Sequence, residues 1–448
     1  DEHDRPERQE PASLKKLKKG DGTWTTRKVL LGWDLDTVAK TLALPPHRKA
    51  RLHEILASIK PAQKTVPTKQ WHKVLGELRS MAIAIPGSRG LFSLLQEAFR
   101  HEEKQRPRLR LTKQVHAVLD DFRWLARDIA NRPTRLAELV PTAPAVLGAC
   151  DAAGSGMGGV FFVSDDDGVE KAMLWRHPFP NHIRRQLVTF DNPDGTINNS
   201  DLELCGNIAH HDVIAQVGDI RERTIHTLSD NVASVFWLRK GSTTTTGPPA
   251  YLLRAQALHQ RFHRYVPRHD YIPGEANAMA DKCSRAWELT DSQLLAFFDR
   301  VYPQTQPWRM CSLRSNMTSA LTSALLTMPF STPLAQHMPS ERMRIGSSGS
   351  TSASTSGWIH SYPTFQIRSD SSKFSLNGIA TDELPPASDK SQLSTFQTYV
   401  APLHRRSCGW GPLTHDSPRT DPSTSACDSS SRDGLNPIHP LLESSLHQ

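Results

Sequence analysis

Two periodicities divide the chain. From Pro46 to about Leu139 apolar residues recur three and four positions apart: Leu52, Ile55, Leu56 and Ile59; Val74, Leu75, Leu78, Met81 and Ala82; Leu91, Leu94, Leu95 and Phe99; Val115, Val118, Leu119, Phe122 and Leu125. That spacing predicts a run of amphipathic helices, broken near Pro86-Gly87 and Pro107. Such a bundle is either plain core or a lobe whose Lys and Arg ridges grip a nucleic-acid backbone. Ahead of it, order is expected from Trp24, and Lys28 to Leu35 reads as a strand or hairpin arm.

Between about 145 and 290 the pattern becomes strands alternating with helices. Val146–Asp151, Gly159–Val163 and Lys171–Trp175 read as three consecutive strands, with Asp165 to Gly168 as the second turn. Ser200–Val217 reads as a helix, and Thr224–Leu228 as a fourth strand. Ser229-Asp230-Asn231 is a capping sequence for a helix over Val232–Arg239. Thr243–Pro249 is a loop, Tyr251–Tyr265 a helix, Asp270–Ile272 a short strand and Ala276–Arg285 a closing helix. Residues 312–448 are rich in Ser, Thr and Pro, with a low-complexity run over 346–357 and no sustained period.

Charge sharpens this division. The net charge of +8 is made of +11 in residues 1–150 and −3 in 151–310, with the remainder neutral. A basic lobe beside an acidic one suits a protein that holds a polyanion in one place and metal-binding carboxylates in another; the plain alternative is a lysine-rich solvated surface. Residues 1–22, with a basic cluster at Lys15 to Lys19, read as a solvated tail or a nucleic-acid arm. The six cysteines (150, 205, 283, 311, 408 and 427) form no CxxC pair, which points to a reducing, intracellular compartment, cytoplasmic or nuclear, and away from a disulfide framework. No apolar run approaches a membrane span, so no membrane partner is expected. The chain opens on Asp1 rather than Met, as expected of a processed product or a fragment of a longer polyprotein.

The candidate chemistry begins at Asp151, a lone carboxylate ending an apolar strand before a glycine-rich turn. A charge there is costly unless it is paired or ligates a metal. Glu203 lies in the first turn of the next long helix, Asp230 ends the fourth strand and Asp281 lies in the closing helix. Asp151 and Asp230 sit side by side if the first and fourth strands are parallel neighbours, and the two helices then bring in Glu203 and Asp281. Each acid alone reads as a cap, turn or solvated residue; the order and local contexts together carry the signal. Hydrolysis of a phosphodiester needs an activated water and a stabilised leaving oxyanion, which two divalent ions held by a few carboxylates supply.

These stretches resemble a known family. Asp151 to Val160 (DAAGSGMGGV) is similar to the opening strand–turn–strand of retroelement ribonuclease H domains. Glu203-Leu204 resembles the second acid of that family, Leu228 to Asn231 (LSDN) the third, and Ile272 to Arg285 (IPGEANAMADKCSR) the closing signature of retrotransposon polyproteins; the Ser229-Asp230-Asn231 variant and the stretch from Trp287 to Trp308 look most like retrotransposons of the DIRS type. The helical lobe resembles the end of a reverse transcriptase, through Lys28 to Trp33 (KVLLGW) and Leu75 to Ala82 (LGELRSMA). The YxDD polymerase motif is absent from the chain.

The resemblance implies an α/β fold: a ribonuclease H-like five-stranded mixed sheet flanked by helices (145–290). A basic disordered arm (1–22) and a helical thumb/connection lobe (23–144) would precede it. A short helical extension (291–311) and a largely disordered Ser/Thr/Pro-rich tail (312–448) would follow. It also implies metal-dependent cleavage of the RNA strand of an RNA–DNA hybrid, with Asp151, Glu203, Asp230 and Asp281 holding two Mg2+ ions, or Mn2+ in their place. An upstream reverse transcriptase domain is the implied partner, and Arg239, Lys240, Arg254 and Arg264 are candidate phosphate contacts. The alternatives are a catalytically inactive nucleic-acid-binding relic, and an exonuclease or resolvase of the same fold class.

Some residues depart from the family pattern or compete with it. The slot of a mobile histidine used by many members falls on Tyr271, with His269 as a substitute or a plain surface histidine. Leu187–Asn199 reads as a surface insertion, and Asp201 is an alternative second ligand. His210-His211 with Cys205 or Cys283 lacks zinc spacing, and the glycines of 154–159 lack the helix and lysine of a phosphate loop. Trp237 reads as core.

Overall fold

A computed structural model describes residue 18 and residues 22–100, 107–164 and 169–330. The turn at 165–168, the basic cluster apart from Lys18, and the tail from 331 onward lie outside the described residues.

The first lobe begins with a β-hairpin, β1 (Arg27–Leu30) and β2 (Trp33–Asp36), where the hairpin arm is expected. Strands β3 (Thr41–Ala43) and β6 (Thr134–Arg135) complete a four-stranded antiparallel sheet. Between them run the helices α1 (Pro46–Ala57), α2 (Thr68–Met81), α3 (Arg89–Arg100) and α4 (Lys113–Asn131). A ribbon of β4 (Thr65–Pro67) and β5 (Arg108–Arg110) ties α2 to α4. The helices bury the stripes read from the sequence, including Leu52, Ile55, Leu78, Leu95, Val118 and Phe122. The lobe is therefore not purely helical. Its strands are two to four residues long, too short to impose a readable alternation.

The second lobe is built on a six-stranded mixed sheet, in the spatial order Val266–Tyr271, Thr224–Ser229, Pro144–Ala153, Gly156–Ser164, Glu170–Pro178 and Arg309–Cys311. Strands β7 (Pro144–Ala153), β8 (Gly156–Ser164) and β9 (Glu170–Pro178) form an antiparallel meander. A short helix α5 (Asn181–Arg184), the segment 187–199 and the helix α6 (Asn199–Val217) lead to β10 (Thr224–Ser229), which pairs parallel to β7. In the 187–199 segment the ends pair, Leu187 bridging to Ile197, and Phe190 stands almost fully exposed. Then come α7 (Val232–Lys240), α8 (Pro248–His263), β11 (Val266–Tyr271), parallel to β10, and α9 (Ala278–Arg285). Asn231 caps α7 by accepting from the Ser234 N–H, as its sequence predicts.

Five of these strands match the expected sheet; the sixth, β12 (Arg309–Cys311), pairs parallel to β9 and lies where a helical extension is expected. Helix α10 (Asp291–Val301) precedes it. Trp308 anchors the crossing: its backbone N–H donates to Asp299, its indole N–H to the Tyr302 carbonyl, and its ring packs on Phe162 and Phe298. The expectation of a largely disordered tail over 312–448 is corrected only at its start. Ser315–Leu325 is a helix, α11, that buries Met317, Ala320, Leu321, Ala324 and Leu325 against α6 and α8.

Helices cover both faces of the sheet. Leu147, Ala149, Val160 and Leu174 meet α9 and α10, while Cys150, Ala152 and Phe161 share the core of α6 and the first lobe. The first lobe packs on α8 through ion pairs: Arg254 with Asp121, and Arg261 with Asp128 and Glu138.

Candidate metal centre

Two close helix approaches build the site. Gly206 of α6 lies over β7 with a Cβ position 3.5 Å from the Ala152 Cβ and 3.6 Å from the Asp151 carbonyl oxygen. On the other side, a Cβ on Gly158, the register partner of Asp151, would lie 2.6 Å from the Cys283 Cβ of α9. Without a side chain at Gly158, α9 settles directly on the meander, and Ser284 reaches Asp151 and donates a hydrogen bond to it.

Asp151, Glu203 and Asp230 converge there, each offering a carboxylate oxygen, all within 4.8 Å of one another. Asp151 and Glu203 are 2 % and 3 % exposed, and Asp230 is half-buried. Burial first, then the charges of Asp151 and Asp230, pushes Glu203 up to about 10. Burial also holds Asp151 above the ordinary carboxylate value, against the hydrogen bond from Ser284, and holds Asp230 up together with the charge of Asp151.

Two buried oxygens here have no hydrogen-bond partner among the described residues: Oε2 of Glu203 and Oδ1 of Asn277. Asn277 is 1 % exposed, donates to the Cys150 carbonyl at 3.3 Å, and its side chain favours the charged form of Asp230. Three crowded carboxylates, one with an unpaired oxygen, and the unpaired amide oxygen of Asn277 form the donor set of a hard divalent ion such as magnesium or manganese. The residues fit such an ion.

The fourth expected ligand does not join them. Asp281 lies half-exposed on α9, with its carboxylate turned to the Nε of Arg285. It acts on the cluster by charge, raising Asp151 and Asp230. Asp201 is used locally: its carboxylate accepts from the Asn198 N–H at 2.9 Å in the cap of α6. His269 is buried, with its ring 5.1 Å from that of His211, and its charged neighbours are His211, His226, Arg239 and Asp270 rather than the acids. A surface role for it is thereby corrected.

The candidate phosphate contacts divide. Arg254 is 2 % exposed, pairs with Asp121 and lies over Phe330, so its assignment to a nucleic-acid surface is corrected: α8 faces the first lobe. Arg264, at the end of α8, pairs with Glu222 and Glu138. Arg239 is half-exposed and pairs with Asp270. Lys240 ends α7 with its ammonium 5.6 Å from the exposed Phe236 ring.

Sequence reasoning passed over a second group, Asp212, His259 and His263, whose ligand atoms also lie within 4.8 Å. The histidines four apart on one helix were the available signal. Its cation is already supplied by the chain: Arg314 donates to Asp212 through Nε and Nη2, and lies 3.4 Å from His263 Nε2. His210 accepts from the Trp175 indole at 2.9 Å within the core. Cysteines 150, 205, 283 and 311 are free thiols. Among the described residues no helix is long and apolar enough to cross a membrane.

No protein-family model matches this chain, and no curated protein does. Among solved structures, it is similar to the foamy viral protease–reverse transcriptase in complex with double-stranded DNA, with 12% identity and a TM-score of 0.23. The match covers 56% of this chain and 45% of that one, so the chain spans less than half of that protein's length.

Proposed function

We propose that the chain is a piece of a retroelement polyprotein: a reverse-transcriptase thumb and connection joined to a ribonuclease H-like domain that cleaves the RNA strand of RNA–DNA hybrids. One observation carries the reading. Strands β7 and β10 are parallel neighbours with Ala149 opposite Leu228, so Asp151 and Asp230, each two residues further on, leave adjacent strand ends beside Glu203.

Asp151, Glu203 and Asp230 would hold two divalent ions, with Asp281 reaching in from the rim. Bound there, magnesium or manganese supplies an activated water and neutralises charge on the leaving oxygen. The chain's own residues prepare the site. Ser284 orients Asp151, and Asn277 favours the charged form of Asp230. A hybrid would be recognised by shape, backbone and 2′-hydroxyl contacts, with Arg239 and Lys240 at the far end of the helix that Asp230 precedes.

The test presents the full chain, with magnesium, with an RNA–DNA hybrid, duplex DNA ends and a four-way junction. The expected result is endonucleolytic cleavage of the RNA strand of the hybrid alone. Cleavage of the DNA substrates instead would identify an exonuclease or resolvase, and hybrid binding without cleavage a binding relic; either contradicts the proposal.

A further inference from the structure

We infer that Arg285 is a built-in cation that holds Asp281 off the acid cluster, so that a divalent ion binds in competition with it. The inference rests on the metal-site reading above and adds a positioning residue to it.

Helix α9 is immobilised on the sheet by the Gly158–Cys283 contact and by burial of Met279, Ala280 and Cys283. Asp281, Ser284 and Arg285, spaced three and four apart, therefore share a fixed face. Ser284 on that face touches Asp151, which puts the next residue at the rim of the cluster. Arg285 bonds Asp281 through Nε, its charge lowers Asp151, and the charges of Asp151 and Glu203 hold it up in turn. The neighbouring Lys282 is directed away, toward Glu288 and the Phe297 ring. Arg176 is committed to Asp291 and to the Ala286 and Leu289 carbonyls.

Arg285 thus satisfies electrostatically what a metal ion would satisfy by ligation. An ordinary exposed pair four apart on a helix contributes little to folding, so this one is free to open. When it opens, Asp281 gains the freedom to turn inward as a further oxygen ligand. Asn277, with its buried unpaired oxygen beside Asp230, marks independently that the interior side of the site lacks a partner.

The experiment is a Mn2+ titration of the full chain, following free Mn2+ by electron paramagnetic resonance without nucleic acid. It compares the unmutated protein with Arg285→Gln, Asp281→Asn, the double variant and Glu203→Gln. Arg285 is 58 % exposed at its side chain, so the variant is expected to fold, with thermal melting as the control. Arg285→Gln is expected to tighten Mn2+ binding about tenfold, the effect of removing one nearby cation at the protein surface. The gain should shrink in the Asp281→Asn background, because no carboxylate is then released. Unchanged or weaker binding in Arg285→Gln, with binding by the unmutated chain abolished by Glu203→Gln, overturns this inference alone. No binding by the unmutated chain that Glu203→Gln removes overturns the metal-site reading and the inference with it.

Discussion

The hydroxyl of Ser284 donates to a carboxylate oxygen of Asp151, tying helix α9 to strand β7 where the acids meet. This bond favours the charged form of a carboxylate that burial pushes toward protonation. Ser284→Ala should therefore weaken Mn2+ binding by about 10- to 100-fold, the usual loss when a ligand's orienting partner is removed. A titration of the full chain reads this directly, and unchanged affinity would remove Ser284 from the account.

Three crowded carboxylates trade stability for function. In chelator, Asp230→Asn should raise the melting temperature by roughly 2–4 °C, since about 1 kcal/mol of repulsion is relieved. Magnesium should stabilise the unmutated protein and leave the variant almost unmoved. Melting curves with chelator and with magnesium check both signs; a lower melting temperature for the variant in chelator would argue against a repulsive cluster.

Much of the second lobe was legible because its signals are local. The strand before Asp151, the Asn231 cap and the Gly-rich turn each depend on a few adjacent residues, and the structure has β7, α7 and the β7–β8 turn at those places. What the sequence hid is tertiary. Asp281 is a ligand candidate by position, but its side chain is directed by Arg285 four residues later. Arg254 and Arg264 read as surface residues because α8 gives no local sign that the first lobe covers it. Helix α11 is a different case: Met317, Ala320, Leu321, Ala324 and Leu325 do keep helical spacing, and serine- and threonine-rich composition concealed it.

Arg254 and Lys240 should behave in opposite ways. Arg254→Leu strands the buried Asp121 carboxylate and should cost about 3–5 kcal/mol of stability. Adding Asp121→Leu should recover most of that. Lys240→Ala should leave stability within about 0.5 kcal/mol and lower the salt dependence of hybrid binding by about one ion. Urea unfolding and hybrid binding across salt concentrations separate the two; a salt slope that changes in Arg254→Leu and not in Lys240→Ala would refute the assignment.

The buried histidines make folding acid-sensitive. Burial first, then the charge of His259, holds both His211 and His263 near about 3, far below an ordinary histidine. Their unfolded forms take up protons below about pH 6.5 while the folded forms do not. The unfolded state thus binds more protons, and stability falls as pH drops from about 6.5 toward 3, by up to about 1.4 kcal/mol per pH unit for each histidine. The urea midpoint should fall between pH 7 and pH 5, and by less in His263→Gln. An equal fall in that variant would show that His263 is not one of the groups responsible.

The most direct measurement of the central claim is magnesium-dependent release of RNA fragments from an RNA–DNA hybrid, comparing the unmutated chain with Asp151→Asn, Glu203→Gln and Asp230→Asn. Cleavage should require the metal and fall by at least about 100-fold, or roughly 3 kcal/mol of barrier, in each variant while hybrid binding persists. Cleavage at an unchanged rate in any of the three, or no cleavage by the unmutated chain, would contradict that claim.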